Sequence, residues 1–325
     1  MSKPNPRLIK MTEYTDKIKK ISKRVLAEGK VEMVIGYRKG SVPMMNQPHC
    51  ATSAESVDEL IWDSNCGLNL ANYITDKKGT IGIIAKGCDS RNIVTHVIEN
   101  KIKRDQLYII GVPCTGMIDH HKINAMFDGE ILKVEESGDQ ITISGNGFSE
   151  TMDKQSLLAE NCAVCTHRNP VEYDELAGDL VEEQKDVDQY ASVTKVESMS
   201  ADEKWNYFED LLSPCVRCYA CRNACPLCYC PTCFVDESRP QWVGKSQDPT
   251  DVRTFHLLRA YHCAGRCTDC GACERACPMG IKIREFTKKL NKDCQELFGW
   301  EAGLSLDVRP PLDTFKTDDI DEFIK

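Results

Sequence analysis

Two copies of one four-cysteine pattern constrain this chain more than any other feature of its sequence. The first copy runs from Cys215 to Pro226 and the second from Cys267 to Pro278, and both have the spacing C-x2-C-x2-C-x3-C-P. Zinc sites use one or two C-x2-C pairs rather than two runs of this kind. The pattern therefore predicts iron–sulfur clusters held by thiolates.

This spacing is the bacterial ferredoxin signature, in which the fourth cysteine of each run ligates the other cluster. Three thiolates at three-residue intervals can wrap one cubane within a single turn of chain. The fourth lies beyond that turn, and the following proline ends the segment because it supplies no N–H. We therefore expect two 4Fe–4S clusters with crossed ligands. The first set is Cys215, Cys218, Cys221 and Cys277. The second set is Cys267, Cys270, Cys273 and Cys225.

The total of 19 cysteines in 325 residues indicates where the protein works. Residues 1–14 contain no apolar segment of the kind a secretory signal requires. Cytosolic thiols stay reduced, and an odd number cannot all pair, so the cysteines favour cluster ligation over a disulfide scaffold. A net charge of −9 disfavours nucleic acid as a partner. No apolar run approaches the roughly 20 residues of a membrane span, so we expect a cytoplasmic protein without a transmembrane segment.

Four more cysteines lie between the two runs. This third set is Cys228, Cys230, Cys233 and Cys263. Four thiols suit one more cubane, and the C-x2-C spacing within the set is a ligand spacing, which gives a third candidate cluster. The alternatives are a zinc site, or thiols packed between clusters as small apolar groups. His256 and His262 are the side chains that could replace a thiol ligand.

The first part of the chain alternates apolar runs with helical periodicity. Strands are predicted at Val31–Ile35, Ile81–Ala85 and Leu107–Val112, with a helix over 90–104 between the last two. Strand, helix and strand at this spacing predict a parallel pair joined by a right-handed crossover. A hairpin is predicted over 130–144. The expected fold class of this part is α/β with a mostly parallel sheet.

These patterns divide the chain into four segments. Residues 1–178 are predicted to be the α/β domain, and 179–204, with eight acidic residues and three lysines, an acidic linker or solvated helix. Residues 205–299 are predicted to be a small, mainly helical dicluster ferredoxin domain, and 300–325 a C-terminal tail. The predicted helices outside the sheet are Thr12–Glu28, Trp205–Leu212, Val252–Tyr261 and Ile283–Leu297.

Two cysteines of the α/β domain follow neighbouring predicted strands, at the edge where such sheets place their ligands. Cys88 comes after Ile81–Ala85 and Cys114 after Leu107–Val112, while a C-x2-C pair, Cys162 and Cys165, lies further along. These four thiols are the fourth set. Their number and placement make them another candidate cluster site.

The motifs around the fourth set resemble the beta subunits of deazaflavin-coenzyme-dependent hydrogenases and formate dehydrogenases. They read Lys86-Gly-Cys-Asp89, Ile110-Gly-Val-Pro-Cys114 and Cys162-Ala-Val-Cys165, and the resemblance covers about residues 31–180. It implies a 4Fe–4S cluster on the fourth set, with Cys66 as the alternative ligand, and FAD in the same domain. After Cys165 this chain has Thr166-His167, where the family has Thr-Asp.

Three functions compete on this evidence. The first is an electron-transfer subunit of an anaerobic oxidoreductase complex, relaying low-potential electrons between a catalytic partner subunit and another carrier. The second is an FAD-containing subunit that converts single electrons into hydride for a soluble carrier such as a deazaflavin or a nicotinamide. The third is a free ferredoxin-like carrier with a regulatory domain. We favour the first, since cubanes with four cysteine ligands have no open position for substrate. The expected partner is of hydrogenase, formate dehydrogenase or heterodisulfide reductase type.

Overall fold

The computed structural model describes residues 11–313 and residue 317. Residues 314–316 and 318–325 of the predicted tail lie outside the described residues. Residues 1–10 of the N-terminal stretch inspected for a signal lie outside them as well. The strands are β1 (Met33–Arg38), β2 (Gln47–Ala51), β3 (Leu60–Ile61), β4 (Ile81–Ala85), β5 (Leu107–Gly111), β6 (Ile131–Ser137), β7 (Gln140–Gly145), β8 (Phe148–Asp153) and β9 (Glu175–Leu176).

Helices surround these strands and make up much of the second half of the chain. They are α1 (Met11–Ala27), α2 (Ala54–Val57), α3 (Gly87–Ile98), α4 (His120–Asn124), α5 (Lys154–Leu157), α6 (Glu160–Ala163), α7 (Ala191–Glu197), α8 (Ala201–Leu212), α9 (Ala220–Asn223), α10 (Pro249–His262), α11 (Ala272–Arg275) and α12 (Arg284–Phe298). Among the described residues, no helix is long and apolar enough to span a membrane.

The main sheet has the strand order β2-β1-β4-β5-β9, with β3 also paired to β1. The pairings of β1 with β4, β4 with β5, and β5 with β9 are parallel. The β4–β5 pair is the one that the strand–helix–strand pattern predicted. β2 and β3 pair with β1 in antiparallel fashion, so the sheet is mixed. Every residue of β4 is buried, which is typical of a central strand covered on both faces.

The hairpin predicted over 130–144 is part of a separate three-stranded sheet, β6-β7-β8. Ile141 and Ile143 of β7 point into a small core of their own, where Phe127 stacks on Phe148. β8 extends the predicted hairpin by one strand. This small sheet follows β5 in the chain and precedes the cysteines of α6.

The predicted acidic linker contains a helix, α7, that packs against α12. Glu197 pairs with Lys289 at 2.7 Å and also with Lys292, and hydrogen bonds from these two lysines lower the pKa of its carboxyl to about 2. Lys288 of α12 lies 3.4 Å from Ser192 of α7. This part of the acidic segment is therefore attached to the cysteine-rich half through its charges.

Helix α3 joins the two halves of the molecule. Its Asn92 donates to the Thr268 hydroxyl at 2.7 Å, and its His96 lies 2.7 Å from the carbonyl of Pro226. Arg91 donates to the carbonyl of Ala302 at 2.7 and 2.9 Å. One helix, which starts at the edge of the sheet and contains Cys88, therefore contacts both cysteine runs and the segment around Ala302.

We expect Glu99→Gln to loosen this junction measurably. At the end of α3, Glu99 accepts a hydrogen bond at 2.8 Å from Arg266, and the Tyr229 hydroxyl also donates to it. Removing the partly buried charge should lower the free energy of unfolding by about 1–3 kcal/mol, the usual cost for a charged hydrogen-bond partner. Urea unfolding followed by circular dichroism measures this. Glu59→Gln, at an exposed pair with Arg38, is the control and should leave stability unchanged.

Candidate iron–sulfur sites

The two cysteine runs adopt the same backbone conformation. In the first run Arg217 and Tyr219, on either side of the second cysteine, have φ values of 50° and 60°. In the second run the same positions are Asp269 and Gly271, at 53° and 72°. Each run then continues into a four-residue helix, α9 or α11, and these two helices pack against each other. Because residues with left-handed φ values occur at the same two positions in both runs, the runs are two copies of one backbone conformation.

The left-handed turns direct backbone N–H groups at the thiols. The N–H of Arg217 hydrogen-bonds to Cys215 and that of Asp269 to Cys267, and in each case this opposes the rise in thiol pKa that burial causes. At Gly271 a Cβ atom would lie 2.6 Å from the side-chain oxygen of Asn161, so glycine is needed there for space as well as for its φ value.

The thiols of the first set lie around one cavity. It is lined by Cys215, Cys218, Cys221 and Cys277, with Phe255, Ile281 and Ile283 among the apolar residues between them. Burial is the main cause that raises the pKa of Cys221, to about 11, and both Cys215 and Cys277 contribute. Cys277, the fourth cysteine of the second run, thus lies with the first three thiols of the first run.

The second set comes together in the reciprocal way. Cys225, the fourth cysteine of the first run, packs against Cys267. Burial raises the pKa of the three thiols of the second run, and Cys225 is close enough to raise each of them further. In the positions of their thiols, the first two sets each combine three cysteines of one run with the fourth cysteine of the other. That each set ligates a cluster stays a prediction.

The four thiols of the third set line one open cleft, together with Arg259 and His262. Two of them, Cys228 and Cys263, are in hydrogen-bonding contact with Cys225, a contact that lowers the pKa of the Cys225 thiol. Cys230 is exposed. The third set therefore adjoins the second set on one side and solvent on the other.

The four thiols of the fourth set also line one cavity, and Cys270 of the second set lines it with them. Burial raises the pKa of Cys88 well above its usual value, and both Cys270 and Cys114 are near enough to add to this. Cys114 in turn lies beside Cys162, and Cys165 beside both. The second set is therefore next to the fourth set as well as the third.

Close backbone packing fixes the fourth set. A Cβ atom at Gly87 would lie 2.3 Å from the carbonyl oxygen of His167, so the segment after Cys165 lies directly on the start of α3. The N–H of Cys114 donates to the carbonyl of Arg168 at 2.9 Å. Asn161 reaches across to the second run and donates to the carbonyl of Asp269 at 3.2 Å. No pattern in the sequence singles out this asparagine, because its importance depends on a contact 108 residues away.

Buried charge lies under the fourth set. Lys86 and Asp89 form an ion pair at 2.8 Å, both fully enclosed, and Lys86 also donates to the carbonyl of Leu68 at 2.7 Å. The Asp89 side chain accepts from the N–H groups of Lys86 and Leu70 as well. This network holds the turn between β4 and α3, and with it the backbone of Cys88.

The remaining candidate residues lie elsewhere. Cys66 is buried beside Asn46 and Asp63 and does not line the cavity of the fourth set. His256 lies 3.3 Å from the thiol of Cys215 rather than in the third set, and burial lowers its pKa to about 4. His167, at the place where the family has aspartate, pairs with Glu301 at 2.8 Å. In residues 11–313, no three His, Cys, Asp or Glu side chains are gathered in the way that a single metal ion requires.

A family model and two curated relatives match this chain. A family model described as a 4Fe-4S dicluster domain matches residues 211–281, which contain both cysteine runs. The chain is 24% identical to F420-dependent formate dehydrogenase subunit beta of Methanocaldococcus jannaschii, over 94% of this chain and 96% of that protein. It is 23% identical to F420-dependent formate dehydrogenase 1 subunit beta of Methanococcus maripaludis, over 95% of each. The resemblance drawn from the motifs of the fourth set is confirmed, and it extends along nearly the whole chain.

A solved structure of the F420-reducing NiFe hydrogenase complex from Methanosarcina barkeri, studied by xenon derivatization, is also similar. The match has a TM-score of 0.38 and 13% sequence identity, and it covers 49% of this chain and 64% of that chain. A likeness of this degree carries no argument about the site.

Proposed function

We propose that this chain is the iron–sulfur electron-transfer subunit of an anaerobic oxidoreductase complex. It relays low-potential electrons between a catalytic partner subunit and a second redox carrier. The names of its relatives point to a formate-oxidising partner and to F420 as the carrier. The observation that carries the proposal is the position of the second set, which adjoins the third set through Cys225 and the fourth through Cys270.

The sixteen cysteines of the four sets fit 4Fe–4S clusters as ligands. Each set brings four thiols to one place, which is the ligand number of a cubane. When bound, such clusters supply reversible one-electron transfer. The chain itself contributes the thiolates, the backbone N–H groups aimed at them, and the packing of α3 that keeps the sets adjacent.

The surroundings of the sets suit conduction between partners. The first set, next to His256, and the third set, with its exposed Cys230, lie in the cysteine-rich half, whereas the fourth lies in the α/β half. We place the second set at the junction of the path, in a mainly helical dicluster domain. Thiolate-held clusters need a reducing compartment, so we place the complex in the cytoplasm.

Iron, acid-labile sulfide and flavin per chain, measured on anaerobically purified complex, test the proposal. We expect about 16 iron atoms and as many sulfides, four cubanes' worth. About eight irons would restrict the clusters to the first two sets, and this result would contradict a path that runs through the fourth set. Absence of iron from anaerobically purified protein would overturn the electron-transfer function altogether.

A second candidate function is favoured by the word F420 in the names of both relatives. F420 is a two-electron carrier, so a subunit that serves it directly would need FAD to convert single electrons into hydride. The same measurement decides between the two functions. Flavin at one per chain would favour the hydride-forming subunit, whereas iron without flavin would leave the single-electron relay.

A further inference from the structure

Among the described residues, the guanidinium of Arg259, on α10, is buried without a carboxylate partner. Arg259 is 5% exposed, and its terminal nitrogen donates to the backbone carbonyl of Cys221 at 3.2 Å. Within residues 11–313, its Nε has no hydrogen-bond partner. Among the charged neighbours that act on it in the described part of the chain, the four strongest are all thiols.

Two other arginines of this half, one buried and one half-buried, lie beside carboxylates. Arg284 is 2% exposed and lies 2.7 Å from Asp269 and 2.8 Å from Glu274. Arg266 pairs with Glu99. Burying a cation is costly unless an anion lies beside it. Arg259 therefore differs from its neighbours in lacking the carboxylate that such a position normally requires.

Thiols from three sets surround Arg259. Its neighbours are Cys221 of the first set, Cys225 and Cys273 of the second, and Cys228 and Cys263 of the third. Neutral thiols do not compensate a buried cation, whereas thiolates bound to iron carry the negative charge that would. The position of Arg259 thus fits a protein whose three neighbouring sets hold anionic clusters.

We infer that Arg259 is a positioning residue whose charge raises the reduction potentials of the clusters around it, the cluster on the second set among them. The inference rests on the proposed function, since it assigns a role toward clusters on those sets. Reduction adds negative charge to a cluster, and a fixed cation nearby stabilises the reduced form more than the oxidised form. The second and third sets each have two thiols beside Arg259, and the second set lies at the junction of the path. The arginine therefore favours electrons resting at that junction.

A redox titration of the complete complex, followed by electron paramagnetic resonance, tests this role. The signal of the second set is first assigned as the one lost in Cys267→Ala. We expect Arg259→Gln to move the midpoint of that signal to more negative potential, with iron per chain unchanged. Arg259→Lys keeps a positive charge, so the midpoint potential of this variant should stay close to that of the wild type. Arg253→Gln is the control on the same helix, at a pair with Glu209, and should leave the midpoint where it is.

The outcomes separate this inference from the proposed function. Wild-type complex without iron defeats both. Wild-type and Arg259→Gln complexes with full iron and the same midpoint defeat the inference alone. If the glutamine variant loses iron, Arg259→Met replaces it as a second neutral variant. Loss of iron from both neutral variants would give Arg259 a role in assembly and overturn the tuning role.

Discussion

Replacing Cys277 with alanine removes the iron of the first set and leaves that of the second set in place. Cys277 is the fourth cysteine of the second run, yet it lines the cavity formed by the first three thiols of the first run. With crossed ligands, Cys277→Ala and Cys218→Ala must therefore delete the same cluster. Each variant should lose about four irons per chain, one cubane's worth. The two variants should also lose the same electron paramagnetic resonance signal.

The mirror variant sharpens the test. Cys225→Ala should delete the same signal as Cys267→Ala, because Cys225 packs against Cys267 and not within the first set. Cys294→Ala is the matched control, since Cys294 is a buried thiol of the same half that belongs to none of the four sets. Pairing of Cys277→Ala with Cys267→Ala instead would show that each run holds its own cluster, and the crossed assignment would be wrong.

The cysteine runs could be predicted from the sequence because their conformation depends on the spacing of nearby residues. A wrap of three thiols depends on residues within one turn of chain, and the matching φ values at Arg217 and Asp269 show the same local geometry in both runs. Central strands were equally clear, because β4 is a continuous apolar run that needs no partner to be recognised. The predicted strand at Ile81–Ala85 matches its observed bounds.

Features that depend on distant contacts were not visible in the sequence. β9 has only two residues and exists because it pairs with β5. β2 is half exposed and lacks an apolar alternation that would predict a strand. Asn161 and Arg259 look like ordinary polar residues until the fold brings them to the cysteine sets. The order in which the four sets adjoin one another is a property of packing rather than of spacing.

Replacing Cys114 with alanine should cost about four irons per chain, and it should interrupt electron flow while the other three clusters remain. Cys114 lines the cavity of the fourth set and follows β5, so its loss removes one of the four thiols of that set. The fourth set is the only one of the four sets that lies in the α/β half. Reduction of the remaining clusters by dithionite, compared with reduction by the physiological donor, measures the interruption.

Cys66→Ala is the control that gives this result its meaning. Cys66 is as buried as any residue of the α/β core, and the motif resemblance made it the alternative ligand, but its neighbours are Asn46 and Asp63. We expect Cys66→Ala to keep its iron and its electron transfer, at some cost in stability from the cavity left behind. If Cys66→Ala loses the iron and Cys114→Ala keeps it, the ligand of the α/β half is Cys66. The path from Cys270 to the sheet would then have to leave through a different thiol.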